Sequence, residues 1–486
     1  MLALLALFCP TTLMAGPVVL TTLDGSLTLE GELTSYDGEF FRVKTAFGAL
    51  TMDGGNVLCD GPGCPDPDAM VARSRIAGPA GMIHGLMPPL LEVFAEREGF
   101  EYRRRFLNDS NVVWELSDPA TGRRLAIFDG EVREDDEVLT HLASRELDIV
   151  LGRQSTKGPV RQDVIALDAL VPIVAPANPR AMVTQSQLSQ LLSGRIDNWS
   201  VLGGPDLPVT LHLLEGSEED LRKWHPSRQL GVAIRHDDPA TLADAVAGDP
   251  AALGVVPYSM IGNAVPLVFG GACGLAIPAT RNTIRSEDYP LTKPLFLQRI
   301  GARQPKIVRD FIAFARSHEA QPVIRSVGYV DQAIGRIAFE RQGGRIANAV
   351  LAAGDDSDAG RAVRDMVGAL MNKDRLTLTF RFQDGSSELD PQSASNVRRL
   401  SDAINRGDFD GTSLYFVGFS DGVGPADGNQ RLSNRRAQSV RAAVAARVED
   451  APVDLRVEAY GEAMPMACDD TNWGRQVNRR VEVWMK

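Results

Sequence analysis

Histidine and cysteine are scarce in this chain of 486 residues, which contains six of the first and five of the second. The histidines (His84, His141, His212, His225, His236, His318) are scattered. No HExxH, GxSxG or readable Cys–His pair occurs, so the usual patterns of zinc proteases, serine hydrolases and thiol enzymes are missing. Beyond the N-terminus no apolar run is long enough to span a bilayer. An excess of positive charge is missing too: 51 Lys and Arg against 63 Asp and Glu leave a net charge of −12. That balance argues against nucleic acid or an anionic membrane surface as the main partner. What is present, 44% hydrophobic and 23% charged residues, is ordinary globular material. Its length exceeds what one core normally supports and predicts two or three domains. The expectation is a non-enzymatic protein with no cofactor and no metal. The one acidic cluster that could argue for a hydrolase is Glu215, Glu218 and Glu219; a solvated helix start explains it as well.

Residues 1–15, MLALLALFCPTTLMA, form a short apolar stretch ending in small residues, which reads as a secretory signal cleaved after Ala15. A lipid anchor at Cys9 is the alternative, but Phe8 stands where a small residue is required. Export permits disulfides. In CDGPGC, Cys59 and Cys64 face each other across a Gly/Pro turn and predict a bridge; a metal pair is the other reading, with no neighbouring His or second Cys pair in its favour. Spacing alone does not pair Cys273 with Cys468.

Residues 16–66 alternate apolar and polar positions in short runs broken by DG and DGG turns, which predicts a small antiparallel, barrel-like β module. From 72 to 333, strand-like pieces such as SRIAG, LDIVLG and ALGVVP alternate with helical ones such as VTQSQLSQLLSG, the pattern of an α/β domain. Residues 334–371 read as a helical connector, and residues 372–486 run strand, helix, strand, helix, strand, strand, an α+β domain. The fold class expected is therefore multidomain.

In the middle domain, DVIALDALVPIVAPANP followed by VTQSQLSQLLSGRIDNWSVLGG resembles the substrate-binding proteins of phosphate ABC transporters, with ALGVVPYSMI and VIRSVGYV as further matches over about residues 73–333. The resemblance implies a two-lobed periplasmic-binding-protein clamshell that closes on an oxyanion held by hydroxyls and helix N-terminal N–H groups. It points to Gly81, Gly152, Arg153 and Ser217 as solute-binding positions. The loops depart from the family. Gly78–Ile83 lacks both expected hydroxyls, Gly152 replaces a serine, and Ser217 is flanked by Glu215, Glu218 and Glu219. Two like charges about 4 Å apart in a partly buried cleft cost on the order of 4 kcal/mol, which disfavours phosphate.

The C-terminal segment opens another question with GFSDGVGPADGNQRLSNRRAQSV, residues 418–440, which sets Asp421 in a glycine-rich loop ahead of Arg435 and Arg436. Phe380-Arg381-Phe382 with GSSELD, Asn429, Leu432-Ser433, Tyr460-Gly461-Glu462 and Asn478-Arg479-Arg480 complete a set that resembles the OmpA-like peptidoglycan-binding domain over residues 375–486. The spacing predicts Ser433 as a helix N-cap, with Arg436 in the first turn. The resemblance implies that Asp421 takes the ammonium and Arg436 the carboxylate of meso-diaminopimelate in a peptidoglycan stem peptide. Asn429, Ser420 and Phe382 with its following loop would line the pocket. Arg479 and Arg480 are expected on alternate faces of the last strand. Asp421 pairing directly with Arg436, or capping a turn, is the bland alternative.

Together these readings predict a protein of the periplasm, associated with peptidoglycan and so with the outer membrane. Its partners would be peptidoglycan, a small anionic solute and an envelope protein met through the β module. A scaffold whose clamshell no longer binds phosphate is the other reading, and a cell-wall hydrolase using Glu218 a third.

Overall fold

A computed structural model describes residues 16–22, 24–66, 71–133, 140–144, 146–156, 158, 160–180, 182–217, 221, 229–271, 273–300, 304–383, 388–470 and 472–486. The expected signal at 1–15 and Glu218 and Glu219 lie outside the described residues. The chain forms two compact units, one of residues 1–152, 156–161 and 297–323, the other of 153–155, 162–296 and 324–486. Among the described residues no helix is long and apolar enough to cross a membrane.

The first unit opens with five antiparallel strands, Pro17–Thr22, Thr28–Tyr36, Phe40–Thr45, Gly48–Asp53 and Val57–Asp60, whose alternating inward residues Val18, Leu20, Leu33, Phe41 and Val43 make a small core. Gly48–Asp53 and Val57–Asp60 lie at opposite ends of the strand order, yet only the turn Gly54–Asn56 joins them. So short a link keeps the two ends of the sheet close together. Cys59 and Cys64 are disulfide-bonded, with Cα atoms 5.8 Å apart. The module is fastened by Asp37 and Glu39, which both engage Arg309 of helix Lys306–Arg316.

The same unit holds a mixed sheet in which Ala72–Gly78 lies parallel to both Ile149–Gly152 and Arg124–Val132. A meander through Asn111–Ser117 to Glu101–Phe106 extends it. The sequence reading passed over this meander because EYRRRF carries three successive arginines, and its strand is half-buried at most. Phe94, Phe128, Phe311 and Phe314 pack between helices Met87–Glu98 and Lys306–Arg316 and the sheet, Phe311 meeting Phe94 and Phe128 edge to face.

The second unit contains an α/β part and the C-terminal domain. In the α/β part, Thr210–Leu214 lies parallel to Ala233–His236 and Ala252–Pro257, and Ala252–Pro257 pairs antiparallel with Val160–Val174. The GRIDNW block serves this fold: Asn198 caps the turn Trp199–Leu202, and fully buried Trp199 donates from Nε1 to the Ala251 carbonyl at 2.8 Å. In the C-terminal domain the strand order is Arg336–Ile337, Asp374–Arg381, Arg480–Met485, Ser413–Gly418, Asp454–Ala459. Helices Pro391–Asn405 and Ala426–Ala445 cover one face through Leu378, Phe380, Leu400, Phe416, Val440 and Val483.

The opposite face carries the alternate residues and is buried as well. There Arg375, Arg480 and Glu482 are fully buried, and Trp484 packs with Val363, Met366 and Leu370. The segment expected as a connector thus lies against the domain's sheet. Burial pushes the Glu482 carboxyl up, but Arg345, Arg375 and Arg480 outweigh it and hold the group well below the usual carboxylate range.

Candidate functional site

Strand Ser413–Gly418 runs under helix Ala426–Ala445 so closely that a Cβ on Gly418 would stand 2.1 Å from the Ser433 carbonyl oxygen. A glycine is therefore required where the strand delivers the chain into the loop. Phe419 is then fully buried, the Ser420 amide donates to the Gly461 carbonyl at 2.7 Å, and the Gly422 amide donates to Asp469 Oδ2 at 2.7 Å. These bonds fix the backbone on both sides of Asp421.

The helix does not begin where the sequence suggested. Pro425 is its N-cap and Ala426 its first residue, so Ser433 lies two turns inside, fully buried, donating to the Gln430 carbonyl and accepting from the Gly461 amide. Arg436 is accordingly on the third turn rather than the first. The ADGN segment resembles a loop by composition, but proline at a helix start and an acidic first turn suit a helix N-terminus.

Asp421 is 8% exposed, and its Oδ2 accepts from Arg479 Nη1 at 2.8 Å. Its ion-pair partner is thus Arg479, where the bland alternative expected Arg436. Arg479 precedes the last strand, which starts at Arg480, and follows helix Asn472–Asn478. The expectation that both arginines alternate along the strand is corrected for this reason. Arg480 is structural: it donates to Glu482 Oε1 at 2.8 Å and to the Met464 carbonyl at 3.0 Å.

The Arg436 guanidinium lies over the Phe382 ring, 5.5 Å from its centroid. Its Nη1 is buried and has no hydrogen-bond partner among the described residues. Burial, then Arg479, push its pKa down, while Asp421 acts against them. A buried guanidinium nitrogen without an acceptor is costly, and an incoming carboxylate would satisfy it with a charge-assisted hydrogen bond. Asn429, 5% exposed, donates from Nδ2 to Glu462 Oε2 at 3.2 Å, and the Ser420 hydroxyl donates to the Asp421 carbonyl at 3.0 Å. Both therefore hold the loops in shape. The loop after Phe382, residues 384–387, is outside the described residues.

The loop carrying Glu462 and Asp469 is anchored further. Asp469 Oδ1 accepts from Asn478 at 2.7 Å, and its neighbour Cys468 is bonded to Cys273 of the α/β part. Sequence reasoning had no means of pairing two cysteines 195 residues apart. It also gave no role at the site to Arg479, whose signal was available only as one arginine in an NRR run.

Residues 381–479 match the OmpA family. The chain is 36% identical over 110 residues to the outer membrane porin F of Pseudomonas fluorescens, covering 22% of this chain and 32% of the porin. It is 32% identical over 102 residues to the probable lipoprotein YiaD of Escherichia coli, covering 21% of this chain and 45% of that protein. The chain thus spans about a third of the one and under half of the other. It is 23% identical over 194 residues to the phosphate-binding protein PstS of Borreliella burgdorferi, 37% of this chain and 69% of that protein. A crystal structure of an ABC-type phosphate transport receptor from Vibrio cholerae aligns at 19% identity and a TM-score of 0.41, over 53% of this chain and 99% of that one. The chain joins a PstS-like α/β part to an OmpA domain.

The solute-binding candidates divide between the units: Gly81 and Gly152 belong to the first, Arg153 and Ser217 to the second. Gly81 opens the π-helical turn Gly81–Leu86 beside exposed Ala80, and Gly152 ends a buried strand. Ser217 donates from its hydroxyl to the Leu214 carbonyl at 2.7 Å. Near Arg153 lies Asp168, a residue the sequence reading did not single out. Burial pushes its carboxyl up, against hydrogen bonds from Ser259 and Ala169 and the charge of Arg153. Two of the scattered histidines meet, with His212 Nδ1 and His236 Nε2 2.9 Å apart. Burial and then His236 push the His212 pKa down. Among the described residues no group of three or more His, Cys, Asp or Glu is placed to hold a metal ion.

Proposed function

We propose that this protein docks non-covalently on peptidoglycan in the periplasm by gripping the free end of meso-diaminopimelate. Asp421 receives the ammonium group, and Arg436 forks the carboxylate, assisted by Arg479. The observation that carries this reading is the buried, unpartnered Nη1 of Arg436 in the same charged cluster as the Asp421–Arg479 pair. A zwitterion with both charges on one carbon complements that cluster, whereas a simple anion would leave the carboxylate opposed. Asn429, Ser420 and Phe382 shape the pocket. The names of the matched proteins, porins and a lipoprotein of the outer membrane among them, support an envelope location.

The α/β part is the protein's solute module. The Ser217 hydroxyl, committed to a carbonyl of its own loop, favours a module that has moved away from tight phosphate binding, or a scaffold. The β module is the surface for an envelope protein.

Co-sedimentation with purified sacculi tests the docking. Asp421→Ala and Arg436→Ala are each expected to weaken the affinity for sacculi at least about tenfold, a loss of roughly 1.4 kcal/mol or more, in protein that thermal unfolding shows to be folded. A doubly substituted protein that still sediments overturns the assignment.

A further inference from the structure

Within the second unit, the α/β part and the OmpA domain enclose a cleft of about 350 Å³, a size ordinary for small-molecule sites. Its two walls differ in kind. One is a single face of helix Gln185–Leu192, which turns Leu188, Leu191 and Leu192 into the core and gives Gln185, Ser186, Ser189 and Gln190 to the cleft. The rest of the lining includes apolar and aromatic side chains, Phe269, Met466 and Trp473 among them. Phe269 and Trp473 meet edge to face with centroids 6.5 Å apart. One cation, Arg195, and one anion, Asp470, line the cleft, so its described lining carries no net charge.

Hydroxyl and amide groups in one cleft with aromatic side chains, without net charge, complement a ring that has polar edges and C–H faces. We propose that this cleft takes an uncharged amino-sugar ring, the N-acetylhexosamine of a peptidoglycan glycan strand. Trp473 packs on the sugar face, and Gln185, Ser189 and Gln190 hydrogen-bond its hydroxyl and acetamido groups. The inference rests on the wall-docking reading and deepens it. Asp470, at the cleft, follows Asp469, whose carboxylate holds the Gly422 amide beside Asp421. The peptide-binding and sugar-binding sites are thus built on one loop. Neither part of the chain forms the cleft alone, and the Cys273–Cys468 bond joins its two sides.

The test uses the full chain and two probes, tetra-N-acetylchitotetraose and stem-peptide-free glycan strands from amidase-treated sacculi, with binding read by calorimetry. Both probes are expected to bind the unmodified protein and the Asp421→Ala variant equally, and Trp473→Ala to weaken them about tenfold or more. Because Trp473 also packs against the core, Gln185→Ala, a change outside the core, provides a second variant and is expected to weaken binding by several-fold. Failure of both probes to bind, or unchanged binding in both variants, overturns the proposal. Loss of the Asp421 effect on sacculi with glycan binding intact would instead overturn only the diaminopimelate reading.

Discussion

At the scale of single residues, the second unit keeps charges where water cannot reach them. The costs are met by pairing. Arg375 bonds Asp288 at 2.9 Å and lies 3.2 Å from Glu482. Glu287 is less well served. It sits at φ 56°, just past helix Arg281–Arg285, where glycine or asparagine is usual. It is held there because Arg381 bonds its carbonyl at 2.7 Å and approaches its carboxylate at 3.3 Å. Burial dominates over Arg381 and pushes the Glu287 pKa up to about 8. Between the ordinary carboxylate range and that value the folded chain holds a proton that the unfolded chain has lost, so stability from this group falls as pH rises. Between pH 5 and pH 8 the full chain is expected to lose more stability than Glu287→Gln, by up to about 3 kcal/mol, read as a larger fall in its unfolding temperature. Parallel pH profiles for the two proteins would contradict this.

At the scale of elements, the apolar alternation of RLTLTF and SLYFVG was enough to place the central strands, and the stripe of Ala437, Val440 and Val444 was enough to place the helix above them. The start of that helix was not legible, because Ser433 looks like a cap by type and only the neighbouring strand reveals that it is inside. Gly418 is the reason the two elements approach so closely. Gly418→Ala would press a methyl group onto the Ser433 carbonyl and is expected to destabilise by about 1–3 kcal/mol, read as a lower denaturation midpoint at unchanged m-value. Docking on sacculi should fall with it, since the same strand end carries Ser420 and Asp421. Unchanged stability would mean that the helix shifts freely.

At the scale of the whole molecule, the OmpA domain is joined to the α/β part of its unit as one body. The Cys273–Cys468 bond closes a loop of 195 residues; in the chain-entropy view so long a loop contributes about 5 kcal/mol. Arg398 reaches Asp163 at 3.2 Å, and Met466, Ala467 and Val477 join the α/β core. An α/β part fastened in this way can be assayed only in the full chain. Inorganic phosphate is expected to leave its unfolding temperature unchanged in a thermal-shift experiment. A phosphate receptor would gain about 2.7 kcal/mol at one hundred times its Kd, and a shift of that size would show that the altered loops still bind the anion.

The sequence by itself determined the central strands of the C-terminal domain, the helix above them, the Cys59–Cys64 bridge and the motif that carries Asp421 and Arg436, because local periodicity and short spacings encode them. Only the tertiary structure decided that Asp421 pairs with Arg479, that Cys273 meets Cys468, and that the supposed connector covers the sheet face holding Arg375 and Glu482. Such contacts join residues tens to hundreds of positions apart. What selects them is the desolvation of charges and apolar faces brought together by folding, which no local stretch of sequence expresses.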